Sequence, residues 1–219
     1  MKRIVAIVTA LVACMGVPVL ATPSIEFSPN PDTAGGWYYD GAGSLSFNQT
    51  VSVDRAIGTN ADALVGASVF IPTFSVVESK GTYSLNPLGS STIYITSPDG
   101  GEVYLTGKLA SGDLIPVGTI GAAYSSFATD ITDVVVTSAG KAIGSAMLSA
   151  IIKSGTKSLD FELSLQGGSG TNYRSLNEML TCGFAGGNGF SGAMSIPEPA
   201  TVALLGFGSL ALLRRKRKA

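Results

Sequence analysis

Carboxylates are the groups best suited to chemistry in this chain, because its 219 residues include no histidine. Without histidine there is no Ser-His-Asp triad, no Cys-His pair and no His-ligated zinc site. Asp160 and Glu162 lie two residues apart, which on a strand places both on one face, about 7 Å apart. A glycosidase could use such a pair. Ser164 and Gln166 continue the same face and favour the polar side of an amphipathic strand.

Acidic segments are a second possible ligand site, because calcium binds through oxygen ligands alone. Acidic residues occur at both ends of residues 99–102 and of residues 130–133. Neither spacing matches an EF-hand loop or an RTX repeat. We therefore interpret both segments as turns, and we expect no metal and no cofactor.

The densest aromatic cluster consists of Trp37, Tyr38 and Tyr39, followed by Asp40. Aromatic rings present a large apolar face that can pack against a sugar ring, so this cluster is a candidate glycan contact. Successive residues of a strand point to opposite faces, which predicts that at least one of the three rings belongs to the core.

Strands are the main elements predicted to position these residues. Apolar and polar residues alternate over residues 159–166, which is typical of a half-buried strand. Residues 93–96 and 103–106 flank a Pro-Asp-Gly turn and predict a hairpin. Further strands are predicted at residues 45–53, 63–71, 74–77 and 134–137. Turn-forming residues separate these strands at short intervals, which predicts an all-β fold. The expected architecture is an antiparallel, jelly-roll-like β-sandwich.

Two short helices are predicted within this β fold. Residues 138–153 place their apolar side chains on one helical face. A second helix begins after Ser175, which forms a capping box with Glu178, and ends at Gly183. The glycine-rich residues 186–192 predict a flexible link, with a last strand over residues 191–196.

The beginning of the chain is typical of a secretory signal peptide over residues 1–21. Two basic residues precede an apolar run, and Val19 and Ala21 supply the small side chains that signal peptidase accepts before its cut. We expect cleavage between Ala21 and Thr22. The alternative is a lipoprotein signal in the same segment, with Cys14 as the lipidated residue.

Three features follow one another at the end of the chain: the motif Pro197-Glu198-Pro199, a charge-free apolar segment and a basic cluster. The apolar segment predicts a transmembrane helix over about residues 200–213. Twelve apolar residues of helix rise only about 18 Å, so flanking residues are needed to span a hydrocarbon core of about 30 Å. The basic residues expected on the cytoplasmic side are Arg214, Arg215, Lys216, Arg217 and Lys218.

This order of features resembles the PEP-CTERM sorting signal, over about 23 residues from Pro197 to Ala219. The resemblance implies an exported protein that is processed by exosortase, a membrane-embedded cysteine protease. It also implies a Gram-negative host that makes exopolysaccharide. The implied route is an inner-membrane intermediate followed by the cell surface or the extracellular matrix.

These ends divide the chain into a signal peptide (1–21), an exported domain (22–196) and a sorting and anchor segment (197–219). The exported domain contains seven basic and fourteen acidic residues, which gives a net charge of −7. Such a domain disfavours nucleic acid as a partner, because nucleic-acid binding requires clustered Lys and Arg. Cys182 is its only cysteine, so it forms no internal disulfide.

Two kinds of function are compatible with these features. The first is a non-enzymatic surface or matrix protein associated with exopolysaccharide and biofilm. The second is a carbohydrate-binding module that uses Trp37, Tyr38 and Tyr39, or, with less support, a glycan-active enzyme that uses acidic residues. The expected partners are an exosortase-like protease, exopolysaccharide and the membrane.

We predict that the mature protein begins at Thr22, because Val19 and Ala21 fit the signal peptidase pocket. N-terminal sequencing of the exported protein measures this directly. Recovery of a lipidated Cys14 at the amino terminus would instead establish the lipoprotein alternative.

Overall fold

Segments in which apolar and polar side chains alternate form strands along most of the described chain. The computed structural model describes residues 22–29, 36–47, 51–115, 124–166 and 175–197, so the predicted signal peptide and residues 198–219 lie outside it. The strands, in chain order, are β1 (Ser24–Pro29), β2 (Trp37–Tyr39), β3 (Ser44–Phe47), β4 (Val51–Ala56), β5 (Ser68–Phe70), β6 (Phe74–Ser79), β7 (Thr82–Pro87), β8 (Thr92–Thr96), β9 (Val103–Leu109), β10 (Gly112–Ile115), β11 (Tyr124–Val136), β12 (Leu159–Gln166), β13 (Gly186–Asn188) and β14 (Phe190–Ser195).

Eight of these strands close into an antiparallel barrel through the pairing of β11 with β12. Around the ring the strands are β11, β12, β14, β1, β4, β5, β8 and β9, and β9 pairs again with β11. The prediction of a mostly β fold is confirmed, whereas the finer prediction of a jelly-roll-like sandwich is not. Alternation specifies strands, but closure depends on which distant strands pair.

The strand β11 is long enough to pair with three others. One edge runs along β12 from Tyr124 to Ile131. The opposite edge pairs with β10 at residues 126–128 and then with β9 at residues 131–136. A second row of strands therefore leaves the barrel at β10 and continues through β7, β6, β3, β2 and β13.

Inward-facing aromatic side chains of both rows share one core. Phe27 stacks on Phe161 with 5.9 Å between ring centroids, and Phe127 meets Phe161 edge-on at 6.2 Å. Phe74 of the second row contacts Phe127 at 5.3 Å, so this row packs on the same core. Gly192 makes room for this packing, because a Cβ there would lie 2.3 Å from the Phe27 ring.

The described fold also contains the helices α1 (Ser138–Ala142), α2 (Ala146–Ser154) and α3 (Leu176–Cys182). The prediction of one helix over residues 138–153 is wrong, because Gly144 has a φ of 75° and Ser145 is extended and caps α2. The predicted capping box between Ser175 and Glu178 is confirmed at the beginning of α3.

Other strand boundaries differ from the predicted ones because strands that are distant in sequence pair with each other. The single strand predicted for residues 45–53 is β3 and β4, which belong to different rows. Residues 63–66 form a turn, so only the end of the predicted strand 63–71 is β5. The hairpin of β8 and β9 is confirmed. The flexible link predicted for residues 186–192 is wrong, because β13 pairs with β2 and β14 begins at Phe190.

Asp62 holds the loop between β4 and β5 to the beginning of α2. Its carboxylate accepts the N–H groups of Ala146 at 2.9 Å and Met147 at 3.2 Å, and also that of Leu64 at 2.9 Å. The first N–H groups of a helix have no partner within the helix, and the helix dipole favours a negative charge beside them. One side chain therefore joins two segments that are far apart in sequence.

We predict that Asp62→Ala lowers the free energy of unfolding by about 1–2 kcal/mol, because the helix loses an acceptor for two backbone donors. Asp62→Asn keeps an acceptor oxygen and should cost less. Urea denaturation followed by circular dichroism measures both effects. Asp113→Ala, at an exposed position of β10, is the control, and an unchanged midpoint for Asp62→Ala would contradict this role.

Candidate functional surface

The aromatic cluster at residues 37–39 is divided between the core and the surface. Trp37 and Tyr39 are only 2% and 5% exposed, whereas Tyr38 between them is 43% exposed. The indole N–H of Trp37 donates to the carbonyl oxygen of Gln166 at 3.0 Å, which ties β2 to the end of β12. The three rings do not share a surface, so only Tyr38 of this cluster is open to a ligand.

The polar groups beside this cluster serve the local fold. Burial, with a smaller effect from the charge of Asp40, raises the pKa of Tyr39. The carboxylate of Asp40 accepts the backbone N–H groups of Ser44 at 2.9 Å and Ala42 at 2.7 Å. These hydrogen bonds lower the pKa of Asp40. Asp40 is thus the acceptor that shapes the turn between β2 and β3.

The acidic segment at residues 99–102 is a turn, as the sequence predicted. The carboxylate of Asp99 accepts hydrogen bonds from the hydroxyl of Ser97 and from the N–H of Gly101, and both lower its pKa. Its oxygens therefore satisfy donors of the turn itself.

Residues 130–133 do not form a separate turn, because they lie within β11. Asp130 is directly opposite Asp160 of β12. Asp133 lies at an irregularity of the strand with a φ of 52°, and its carboxylate is 3.0 Å from the ammonium group of Lys108. The two acidic residues thus have different neighbours. Within the described residues, no group of three or more acidic or cysteine side chains is arranged to hold a metal ion.

The carboxylates proposed for glycosidase chemistry lie on the outer wall of the barrel. Leu159, Phe161 and Leu163 point into the core, and Asp160 and Glu162 point outward, as the alternation predicted. Partial burial, and to a lesser extent the charge of Asp130, raise the pKa of Asp160. The residue opposite Asp160 is therefore a second carboxylate, which repels it, rather than a cation that could pair with it.

Glu162 lies beside a shallow groove that runs over β14. The bottom of the groove is formed by β14, where Ser191 and Ala193 have small side chains and Gly192 has none. The groove is partly open to solvent, and its other polar lining residues are Ser24, Glu26, Asp54, Ser126 and Ser164. This surface can offer carboxylate and hydroxyl oxygens to a partner.

A pair of surface aromatic residues was missed by sequence reasoning. Phe70 of β5 and Tyr94 of β8 are opposite each other, and their rings stack with centroids 4.5 Å apart and planes 10° apart. Phe70 is 45% exposed. The available signal was the outward position of each ring between apolar neighbours, but their proximity depends on the pairing of β5 with β8.

Comparison with known proteins identifies only the end of the chain. A family model for the PEP-CTERM protein-sorting motif matches residues 195–218. No curated protein and no solved structure matches the chain. None of the helices in the described residues has the length and apolar character needed to cross a bilayer. The transmembrane helix predicted for residues 200–213 lies outside the described residues.

This match defines the class of protein: the chain is exported and sorted toward the cell surface by a C-terminal signal. It is a PEP-CTERM sorting-signal protein, and exosortase is the enzyme that processes such signals. The matched segment begins at Ser195, the last residue of β14. The next residue, Ile196, donates its N–H to the carbonyl oxygen of Pro23 at 3.2 Å. The sorting motif therefore begins directly at the barrel wall.

We predict that Asp160→Asn raises the free energy of unfolding at pH 7 by about 0.5 kcal/mol, because it removes a like-charge pair across the strands. A carboxyl group whose pKa is raised by folding favours the folded state fully below its ordinary pKa of 3.8. That contribution is lost as the pH rises through the folded-state pKa. The advantage of the variant should therefore disappear in acid.

Urea denaturation at pH 7 and at about pH 3 tests this linkage. Glu162→Gln, on the same face of β12, is the matched control and should change stability little at either pH. An Asp160→Asn variant that is destabilised at pH 7 would contradict the prediction.

Proposed function

We propose that the exported domain is a non-enzymatic component of the cell surface or extracellular matrix and associates there with exopolysaccharide. The observation that carries this proposal is the sorting motif, which begins where the last barrel strand ends. This position supports delivery of the barrel together with its sorting signal toward the cell surface.

The environment of the acidic residues supports a non-enzymatic role. General acid–base catalysis requires groups of different pKa placed around a bound substrate, usually in a site that excludes water. Asp160 faces a second aspartate, and Glu162 borders a shallow, open groove. Asp40 and Asp99 hold their own turns through hydrogen bonds. Asp40 and Asp99 therefore serve the fold, and Asp160 and Glu162 lie on the outer wall of the barrel.

A carbohydrate-binding module centred on Trp37, Tyr38 and Tyr39 has less support. Trp37 and Tyr39 are part of the core, and a single exposed ring at Tyr38 offers one stacking position. Association with polysaccharide would then use another surface of the protein, and it does not require these three residues to act together.

We predict that the surface protein from the native host ends near Pro199, because exosortase processes PEP-CTERM signals and prolines disfavour helix and favour the extended backbone that proteases bind. Glu198→Ala should block this cut and leave export intact. Intact-mass analysis measures both results, and Asp113→Ala, at an exposed position of β10 in the second row of strands, is the control. A surface protein that still ends at Ala219 would show that the tail is a permanent anchor.

The proposed association with polysaccharide is tested by fractionating the matrix of the native host. The mature protein should sediment with exopolysaccharide in the parent strain and become soluble in a strain that cannot make the polymer. Equal fractionation in the two strains would overturn the association.

A further inference from the structure

We infer that Phe70 and Tyr94 form a contact site for a neutral polysaccharide on the outer wall of the barrel. This inference rests on the proposed association with exopolysaccharide and adds the residues and the chemical class of the partner. It differs from the earlier aromatic candidate, because it uses two rings from neighbouring strands.

The geometry of the pair suits a stacking surface. The two residues are opposite each other in the antiparallel pairing of β5 with β8, and their rings are nearly parallel, 4.5 Å apart. Each ring restricts the rotamers of the other, so little side-chain entropy is lost when a ligand packs against them. Phe70 is nearly half exposed and Tyr94 is half-buried. The pair therefore presents two partly exposed aromatic rings, packed against each other, to solvent.

The surroundings of the pair favour a partner that is rich in hydroxyl groups. Thr106 of β9 is opposite Tyr94 and separates it from Val135, the next exposed apolar side chain in that row. Two residues away on the same strands, Thr92 of β8 is opposite Lys108 of β9. Hydroxyl and ammonium groups thus lie beside an apolar stacking surface, which matches the mixed apolar and polar faces of a pyranose ring.

The size of the apolar area argues against a protein partner. A stable protein interface buries roughly 800 Å² on each partner, mostly around a hydrophobic centre. Two partly exposed rings bordered by polar side chains offer much less. A linear polysaccharide makes small contacts of this kind repeatedly along its length, so a modest site on each displayed protein is sufficient for retention.

Charge favours a neutral polymer over an acidic one. The exported domain carries a net charge of −7, and Lys108, two residues from Thr106 on β9, is already 3.0 Å from the carboxylate of Asp133. An acidic polymer would therefore be repelled by the domain as a whole, and Lys108 already has a carboxylate partner.

The position of the pair suits a displayed protein. The tail leaves the barrel at Ser195, which is opposite Ser24. Four residues after Ser24 on β1, Ser28 is opposite Ser52 of β4, and Ser52 is opposite Ser68 of β5. Phe70 lies two residues further along β5, in the direction away from Ser24. Six residues of strand correspond to about 20 Å. The rings thus lie well away from the end where the protein joins its membrane tail.

The test uses mature protein released from the surface of the native host, run by affinity electrophoresis through gels containing a neutral glucan, the extracted host exopolysaccharide or anionic alginate. Neutral polymer should retard the wild-type protein. Phe70→Ala and Tyr94→Ala should each weaken the apparent Kd by about tenfold or more, the loss expected for an aromatic hot-spot residue. Phe70→Trp should retain binding.

Tyr38→Ala is the matched control, because it removes a similarly exposed ring from another strand. Circular dichroism shows whether each variant is folded, and Phe70→Trp tests the site without opening a gap. Retardation by alginate alone, or equal retardation of wild type and both alanine variants, would overturn the inference. If no polymer retards the wild-type protein although it still sediments with the matrix, this site is wrong and the proposed function stands. If both assays are negative, both proposals fail.

Discussion

The antiparallel pairing of β11 with β12 is the constraint on which the rest of this structure depends. It closes the barrel over eight residue pairs, from Tyr124 opposite Gln166 to Ile131 opposite Leu159. It brings Phe127 and Phe161 together inside, where burial of aromatic area stabilises the fold. The same register places Asp130 opposite Asp160 outside. The favourable interior contacts outweigh this like-charge pair, because cross-strand charge effects at a wet surface are small.

Closure also determines where ligands can meet the protein. Large side chains such as Phe27, Phe74 and Leu105 fill the described interior, so the candidate contact surfaces all lie on the outer wall. There the character of each patch follows from cross-strand neighbours. Small residues of β14 make a shallow groove with acidic borders, whereas β5 and β8 place two aromatic rings together. The wall is therefore divided into patches of different chemistry.

The position of β14 links the fold to sorting. This strand is paired on both sides, with β12 and with β1, and the matched sorting motif begins at its last residue. Because Ser24 is opposite Ser195, the two ends of the exported domain leave the barrel together. Backbone hydrogen bonds to β12 and to β1 thus hold β14 on both sides, at the point where the sorting motif begins.

The sequence by itself determined the local features: the β class, the β8–β9 hairpin, the capping box at Ser175 and the sorting motif at Pro197-Glu198-Pro199. Each depends on residues that are close together in the chain, so their spacing and backbone preferences predict it without knowledge of the tertiary structure. The tertiary structure alone decided between sandwich and barrel, buried Trp37 and Tyr39, and joined Phe70 to Tyr94. Both faces of a strand accept aromatic residues, so only the pairing of strands distant in sequence settles which ring is buried and which two rings meet.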